Sequence, residues 1–326
     1  MKIFYLDLSI SIIESYSNYN PTKYGGGSIF VRIAKEFPNF CIYAKNECFN
    51  DLTSQDNKSN CKTIVQEQID KLLNNVPIEE VIPEIKDYDI LCHCTPNIYI
   101  NTDNIKTKQL SWSVGYNEQI HEKHQFLLLY NDFQAPIRKN PDVKIYTFIL
   151  GKQIPEFKEY KKEDYIFQCS RIVQDFCSIE VATFCLKNKI KGIFAGPIYS
   201  DYPFLNFIDN KYTYYLGEIS EEQKIDLTKH ARLYTLLFNW PAPMSLSMLE
   251  SLSFGTPVVT TWCPFTNSII KDKINGFFSF NDNDLLNAWN KAPEISQFEC
   301  YRSILKFNHY NMIDSLYNCF NQILNE

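Results

Sequence analysis

The feature that most constrains the fold is an alternation of short apolar runs and helical segments, clearest in the second half of the chain. Runs rich in β-branched and aromatic residues at Tyr165–Ser170, Gly192–Gly196 and Leu233–Phe238 are separated by helically spaced segments at Ile179–Asn188 and Glu221–His230. Strands separated by helices pair in parallel, because each helix returns the chain to the edge where the previous strand began. The pattern predicts an α/β domain with a mostly parallel sheet.

The first half repeats the alternation less regularly. Runs at Lys2–Leu8, Phe40–Ala44, Asp87–Cys94 and Gln109–Val114 have strand character, and a glycine-rich turn with a helical segment follows the first of them. Two Rossmann-like domains of about 150 residues each, facing a central cleft, account for this length and pattern. We therefore expect a first domain over residues 1–155 and a second over residues 156–300.

The segment GKQIPEFKEYKKED, residues 151–164, is the best candidate for a linker between these domains. It contains Pro155 and a dense cluster of charged residues, and both features are typical of interdomain connections.

Composition excludes several classes of protein. The 45% of hydrophobic residues among 326 predicts a globular protein. The net charge of −6 argues against a protein that binds nucleic acid backbones, because such proteins need a basic surface. No apolar run approaches the roughly 18 residues of a membrane span, so contact with a membrane would be peripheral at most. The 11 scattered cysteines, an odd number, predict reduced thiols and a cytoplasmic location.

Cys92, His93 and Cys94 place three soft metal ligands side by side. Successive residues of a strand point to opposite faces, so only the two cysteines would share a face, and no second ligand pair stands elsewhere in the sequence. We expect no metal site, and we interpret these residues as small buried side chains at a strand end.

Ligands of doubly wound sheets bind at the carboxyl ends of strands, where loops lead into helices. Three loops meet this condition: Gly25–Ser28, Cys169–Val173 and Pro241–Leu246. In the first loop, Gly25, Gly26 and Gly27 permit positive φ angles and close approach of backbone amides to a phosphate or an acceptor. A tight turn without a ligand explains the glycines equally well.

Arg171 directly follows the strand YIFQCS. A guanidinium at this position would bind a diphosphate through paired hydrogen bonds. A surface ion pair with Asp175 or Glu180 is the alternative, and the sequence leaves both interpretations open.

The ordered motifs YIFQCSRIV, GIFAGPI, YYLGEISEEQK, ARLYTLLFNW and PAPMSLSMLESLSFGTPVV resemble the donor-binding domain of GT-B glycosyltransferases. The similarity is to the large retaining family 4, the glycosyl transferases group 1. It implies the GT-B fold, and it extends to KFNHYNMIDSLYNCFNQIL, similar to the family's final helices. By this resemblance, residues 301–326 cross back to the first domain. Residues 46–150 match only loosely.

The resemblance implies roles for residues of the second domain. Glu250 falls on the second acid of the family's Glu-x7-Glu motif, which hydrogen-bonds the ribose hydroxyls of the nucleotide. A glutamate favoured by the dipole of a helix N-terminus is the alternative. The amides of Ser245, Leu246 and Ser247 fall where family members hold the donor phosphates and sugar.

Three further positions match the family at the donor side. Arg171 falls on the diphosphate-binding arginine, and we assign it the catalytic role. Gly196 in GIFAGPI and Ile219 in YYLGEISEEQK fall at donor-binding loops.

The sequence departs from the family at the donor side. Ala242 occupies the position of the first acid of the motif, which contacts the transferred sugar, and Ser245 replaces a glycine. Phe176 replaces the lysine that gives the diphosphate a second cation. Each lost contact would weaken transition-state stabilisation by a few kcal/mol.

The acceptor side also departs from the family. Val114 in SWSVG stands where family members often have a histidine, and His121 and His124 in IHEKH are substitutes by proximity only.

We expect a hexosyltransferase-like enzyme that moves a sugar from a UDP-, GDP- or ADP-sugar to a glycan, a lipid-linked or another hydroxyl acceptor, with retention implied by the resemblance. It would need no cofactor, because protein cations neutralise the leaving group. The alternative is a catalytically degenerate GT-B protein that binds nucleotides or acts as a scaffold. A dehydrogenase is disfavoured because Gly25–Gly27 does not form a GxGxxG motif.

Overall fold

The computed structural model describes residues 1–6, 40–44, 61–93, 97–113, 121–129, 142–199, 202–240 and 245–326. They form two compact units, one of residues 1–149 with 312–326 and the other of residues 150–311. Several positions discussed above lie outside the described residues: Gly25, Gly26, Gly27, Cys94, Val114 and Ala242.

The first unit contains a parallel sheet of seven described strands. Its strands are β1 Ile3–Leu6, β2 Phe40–Ala44, β3 Cys61–Thr63, β4 Ile90–His93, β5 Lys108–Ser113, β6 Phe126–Leu129 and β7 Lys144–Thr147. They lie in the order β3-β2-β1-β4-β5-β6-β7. The central strands β1 and β4 are buried along their whole length, as is usual for a parallel sheet covered on both faces.

Two helices of the first unit follow β3, namely α1 Gln66–Leu73 and α2 Ile78–Val81, and a 3₁₀ turn at Pro83–Asp87 leads into β4. Helix α1 buries Ile69 and Leu72, one turn apart, against Leu91 of the sheet.

The second unit contains a parallel sheet of six described strands in the order β10-β9-β8-β11-β12-β13. The strands are β8 Glu163–Cys169, β9 Lys191–Ala195, β10 Thr213–Tyr215, β11 Ala231–Leu236, β12 Val258–Thr260 and β13 Gly276–Phe278. The helices are α3 Ser178–Asn188, α4 Glu221–His230, α5 Leu246–Ser253, α6 Pro264–Ile269, α7 Asp282–Lys291 and α8 Gln297–Ser303.

Alternate residues of the central strands pack into two apolar cores, one on each face of this sheet. On β8, Phe167 packs into the core that includes Leu249 of α5, and its neighbour Ile166 packs into the core that includes Phe184 of α3. Helix α5 is thereby fixed against the face that also receives Tyr234 of β11.

The predicted α/β class with two Rossmann-like parallel-sheet domains is confirmed. The helices predicted at 179–188 and 221–230 lie at α3 and α4. Strands β3, β6 and β7 of the first unit and β13 of the second are additions to the predicted set. Among the described helices, none combines the length and the apolar character needed to cross a bilayer.

The boundaries of the units differ from the predicted ones. The second unit begins at Leu150 and ends at Asn311, so residues 150–155 and 301–311 lie in it. The predicted linker is instead packed against this unit: the Lys152 amide donates to the Phe307 carbonyl at 3.0 Å, and Tyr160 exchanges two hydrogen bonds with Gln297. The last helix, α9 His309–Asn325, enters the first unit at Met312.

Candidate functional site

Backbone hydrogen bonds join the carboxyl end of β9 to the end of β8 and to the segment that follows β10. The Ser170 amide donates to the Ala195 carbonyl at 3.1 Å, and the Gly196 amide donates to the Gly217 carbonyl at 2.8 Å. Gly196 has a φ of +125°, and a Cβ there would lie 1.9 Å from the Ser170 carbonyl oxygen. Only glycine permits this approach of the two strand ends, so Gly196 has a structural role whatever its part in donor binding.

Arg171 follows this junction with an exposed side chain. Its guanidinium carbon lies 5.5 Å from the centre of the Phe176 ring, which packs against Phe238. The described residues, Asp175 and Glu180 among them, give Arg171 no ion pair. The guanidinium rests on an aromatic face with its hydrogen-bond donors available to a ligand.

Glu250 lies in α5 and is 8% exposed. Its Oε1 lies 2.5 Å from the Lys152 ammonium, and its Oε2 lies 3.0 Å from the Lys224 ammonium. Each carboxylate oxygen therefore accepts from one lysine. Lys224 also pairs with Glu221 at 2.6 Å, where the cluster reaches solvent.

The two lysines decide the charge of Glu250. Burial alone would raise the pKa of this carboxyl, but the charges and hydrogen bonds of Lys152 and Lys224 outweigh burial and hold the pKa below its ordinary 4.5. Burial opposes the charge of Lys224 as well, yet Glu250 and Glu221 raise the pKa of its ammonium above 10.5. Glu250 and Lys224 are therefore both charged at neutral pH.

The sequence interpretation missed both lysines. Lys152 is 98 residues from its partner, within the segment interpreted as a linker. Lys224 follows a capping box in which Ser220 and Gln223 bond reciprocally, so the start of α4 was predictable, but the contact with Glu250 depends on how α4 packs beside α5.

The first turn of α5 is connected to the end of β8. The Ser245 and Ser247 hydroxyls lie 2.7 Å apart, and Ser247 hydrogen-bonds the Tyr234 hydroxyl, which donates to the Cys169 carbonyl at 2.8 Å. Burial raises the pKa of the Cys169 thiol to about 12. The charge of Lys224 opposes this rise, and the charge of Glu250 adds to it. The thiol is therefore protonated and is a poor nucleophile.

Two further predicted residues lie beside this cluster. Ile219 and Leu246 pack, partly buried, against the apolar core that includes Tyr234, as does Cys169. The structure thus assembles Glu250, Ser247 and Ile219 around one edge of the second sheet, the edge from which Arg171 projects.

The predicted acceptor-side histidines lie in the first unit. His124 is 3% exposed, and its Nε2 lies 2.9 Å from the Ile98 carbonyl. His121 stacks on Tyr99 with ring centres 5.6 Å apart. Because His124 is buried, it is poorly placed to touch an acceptor, whereas His121 is only partly buried.

A buried network connects His124 with His93. A carbonyl only accepts, so His124 Nε2 carries the proton and Nδ1 accepts from the Ser111 hydroxyl at 3.1 Å. The Ser111 oxygen lies 3.1 Å from His93 Nε2, which also donates to the Gln109 amide oxygen at 2.8 Å. Burial, and secondarily His124, hold the pKa of His93 well below 6.5. His93 is therefore neutral at pH 7.

Within the described part of the chain, no group of three or more histidine, cysteine or acidic side chains is arranged to hold a metal ion. Cys92 and His93 are both fully buried in β4.

Residues 205–292 match the model of the family described as Glycosyl transferases group 1. The match lies within the second unit and includes Glu250. No curated protein matches the chain.

The fold resembles that of several glycosyltransferases of known structure. The Anabaena protein Alr3699/HepE, solved with UDP and glucose, superposes with a TM-score of 0.73 at 12% identity, covering 99% of this chain and 100% of that one. A glycosyltransferase from Rickettsia africae gives 0.72 at 16% identity, covering 100% and 99%. AviGT4, a glycosyltransferase involved in avilamycin A biosynthesis, gives 0.67 at 14% identity, covering 100% and 98%.

Proposed function

We propose that this protein is a glycosyltransferase that moves a sugar from a nucleotide-diphosphate donor to an acceptor hydroxyl. The observation that carries the proposal is a buried, ionised Glu250 at the edge of the second sheet from which Arg171, without an ion pair among the described residues, also projects. A carboxylate accepts hydrogen bonds from a ribose diol, and a guanidinium binds a diphosphate. The group 1 match and the shared fold support the same assignment.

In this mechanism the second unit binds the nucleotide and stabilises the leaving group. Glu250 accepts from the ribose hydroxyls, while Arg171 and the amides of Ser245, Leu246 and Ser247 receive the charge that develops on the diphosphate. Gly196 and Ile219 shape the donor loops. Because these groups neutralise the leaving group, the reaction needs neither a metal nor another cofactor.

The donor and the stereochemistry are further parts of the proposal. UDP-sugars are the first donors to test, because Alr3699/HepE was solved with UDP, with UDP and glucose, and with UDP-glucose. We infer transfer of a hexose with retention from the resemblance to the retaining family, and a hydroxyl of a glycan or lipid-linked glycan as acceptor, with His121 on the acceptor side. Eight cysteines of the described part of the chain are free thiols, which favours the cytoplasm as the site of the reaction.

One observation favours a second candidate, a nucleotide-binding partner protein without transferase activity. Phe176 places an aromatic ring, packed against Phe238, at the position of the family's second diphosphate cation. A site with a single such cation binds a nucleotide but stabilises its departure less well.

Transfer assays with UDP-, GDP- and ADP-sugars decide between the two candidates. We expect release of nucleotide diphosphate from one donor class, reduced at least a hundredfold in Arg171→Ala. Arg302→Ala is the matched control, because Arg302 is an exposed arginine of the same unit that pairs only with its helical neighbour Glu299. Nucleotide binding without release of the sugar from any donor would favour the partner protein.

A further inference from the structure

We propose that Lys152 is a positioning residue that orients Glu250 for the vicinal diol of the donor ribose, and so gives the site its preference for ribonucleotides. This inference rests on the proposed function. Lys152 belongs to the segment that the sequence suggested was a linker, and its side chain is 10% exposed beside a carboxylate that is 11% exposed. Because its ammonium donates to Glu250 Oε1, Lys152 acts on the donor through that carboxylate.

The backbone around Lys152 is fixed. The Lys152 amide donates to the Phe307 carbonyl, and the residue forms a parallel bridge with Asn308. A Cβ on the preceding Gly151 would lie 2.2 Å from the Asn308 carbonyl oxygen, so the two chain segments are in direct backbone contact. The ammonium therefore reaches Glu250 from an anchored position.

The hydrogen-bonding capacity of Glu250 explains why this matters. A carboxylate has about two acceptor directions on each oxygen. Among the described residues, Lys152 occupies one direction on Oε1 and Lys224 one direction on Oε2, which leaves one on each oxygen. Two free directions on adjacent oxygens match the two donors of a vicinal diol. With Lys152 removed, the carboxylate is free to turn toward Lys224, and this match is lost.

Charge adds a second effect. Glu250 alone would place a buried negative charge near an anionic donor. Lys152 and Lys224 offset the charges of Glu250 and of Glu221, so the cluster does not repel a diphosphate. Loss of the Lys152 ammonium would leave the cluster negative and weaken the binding of every nucleotide diphosphate alike, whereas loss of the orientation weakens only nucleotides that carry the complete diol. The two effects are therefore separable by experiment.

The test compares the affinity for UDP with that for 2′-deoxy-UDP by calorimetric titration. If GDP or ADP is the nucleotide that binds the unsubstituted protein, its own deoxy partner is used. We expect the unsubstituted protein to prefer the ribonucleotide by about tenfold or more, the size of one hydrogen bond to a charged acceptor. Lys152→Met should reduce the preference to less than about threefold, while Lys152→Arg, which keeps a charged donor, should retain most of it.

The control is Lys162→Met, which removes a partly buried lysine of the second unit. Lys162 donates to two carbonyls, those of Lys229 and Phe254, and to the Thr256 hydroxyl. This variant should keep the unsubstituted preference. If Lys152→Met does not fold, as judged from its melting curve, Lys152→Gln takes its place.

An unchanged preference in the folded Lys152 variant overturns the inference and leaves the proposed function intact. Failure of the unsubstituted protein to bind any of the three nucleotides overturns both.

Discussion

Each unit of the protein contains a buried polar cluster. One cluster is stabilised by ion pairs and the other by hydrogen bonds. In the second unit, Glu250 stays ionised between Lys152 and Lys224. In the first, His93 stays neutral and is bridged to His124 by the Ser111 hydroxyl. A buried ion is stable only while its partners remain, whereas a neutral network is stable at any pH that does not charge it.

The difference bears on function. Acceptor directions of the Glu250 carboxylate remain for a ligand after its two lysines are counted, and Arg171 on the same edge is unpaired within the described structure. The proton positions in the histidine network are instead fixed one after another, from His93 through Ser111 and His124 to the Ile98 carbonyl. The charged cluster is suited to binding and the neutral one to holding adjacent strands together.

The largest effect is expected for Glu250→Gln, which leaves two lysine ammonium groups without their shared carboxylate. Removing one partner from a buried ion cluster costs about 3 to 5 kcal/mol, and we expect a loss of about 3 kcal/mol in the free energy of unfolding of the second unit. Denaturant unfolding measures this. Glu221→Gln is the matched control because that side chain is 62% exposed, so its loss should cost less than about 1 kcal/mol. Equal losses in the two variants would contradict the buried cluster.

Ser111→Ala tests the neutral cluster. It removes the donor to His124 Nδ1 and leaves a buried nitrogen unsatisfied, which costs about 2 kcal/mol. Faster amide exchange of β4 and β5, with exchange in the second unit unchanged, would locate the effect. A loss as large as that of Glu250→Gln would remove the distinction between charged and neutral clusters.

The clusters should lose stability in different pH ranges. The pKa of His93 is lowered in the folded protein, so below about 6.5 the unfolded chain binds more protons and the free energy of unfolding falls as the pH falls. The slope for one such group is at most about 1.4 kcal/mol per pH unit. The pKa of Glu250 is also lowered, but its contribution is lost only below 4.5.

Denaturant titrations of the unsubstituted protein and of His93→Gln between pH 7 and about 5 measure how the free energy of unfolding changes with pH where His93 contributes. This pH range lies above the range in which carboxyl groups titrate. The variant should show a shallower slope there. Parallel slopes would show that His93 does not titrate with unfolding.

The sequence predicted the fold better than it predicted the site. Strands such as β8 and β11 combine β-branched and aromatic residues between turns, and α4 carries a capping box, so these elements follow from local chemistry. The strand β6, with the sequence FLLL, has no periodicity that separates it from a helical turn. Its place in the sheet depends on pairing with β5 and β7.

For the candidate site, the sequence suggested Glu250 and Arg171 by their resemblance to family motifs. It missed Lys152 because no local sequence pattern indicates an ion pair between residues 98 positions apart. In addition, a cluster of charged residues beside a proline is typical of a linker. The choice between a free and a paired Arg171 required side-chain geometry, which shows that neither Asp175 nor Glu180 pairs with it.

The smallest effect is expected for Thr235→Val, at a buried hydroxyl that belongs to neither cluster. Thr235 is fully buried in β11, and the described residues provide its hydroxyl with no hydrogen-bond partner. A methyl group of nearly the same size loses no bond and avoids burial of an unsatisfied oxygen, so the melting temperature should stay the same or rise, by the equivalent of less than about 1 kcal/mol. A loss of 2 kcal/mol, like that expected for Ser111→Ala, would mean that burial of any hydroxyl, rather than membership of a network, determines its contribution to stability.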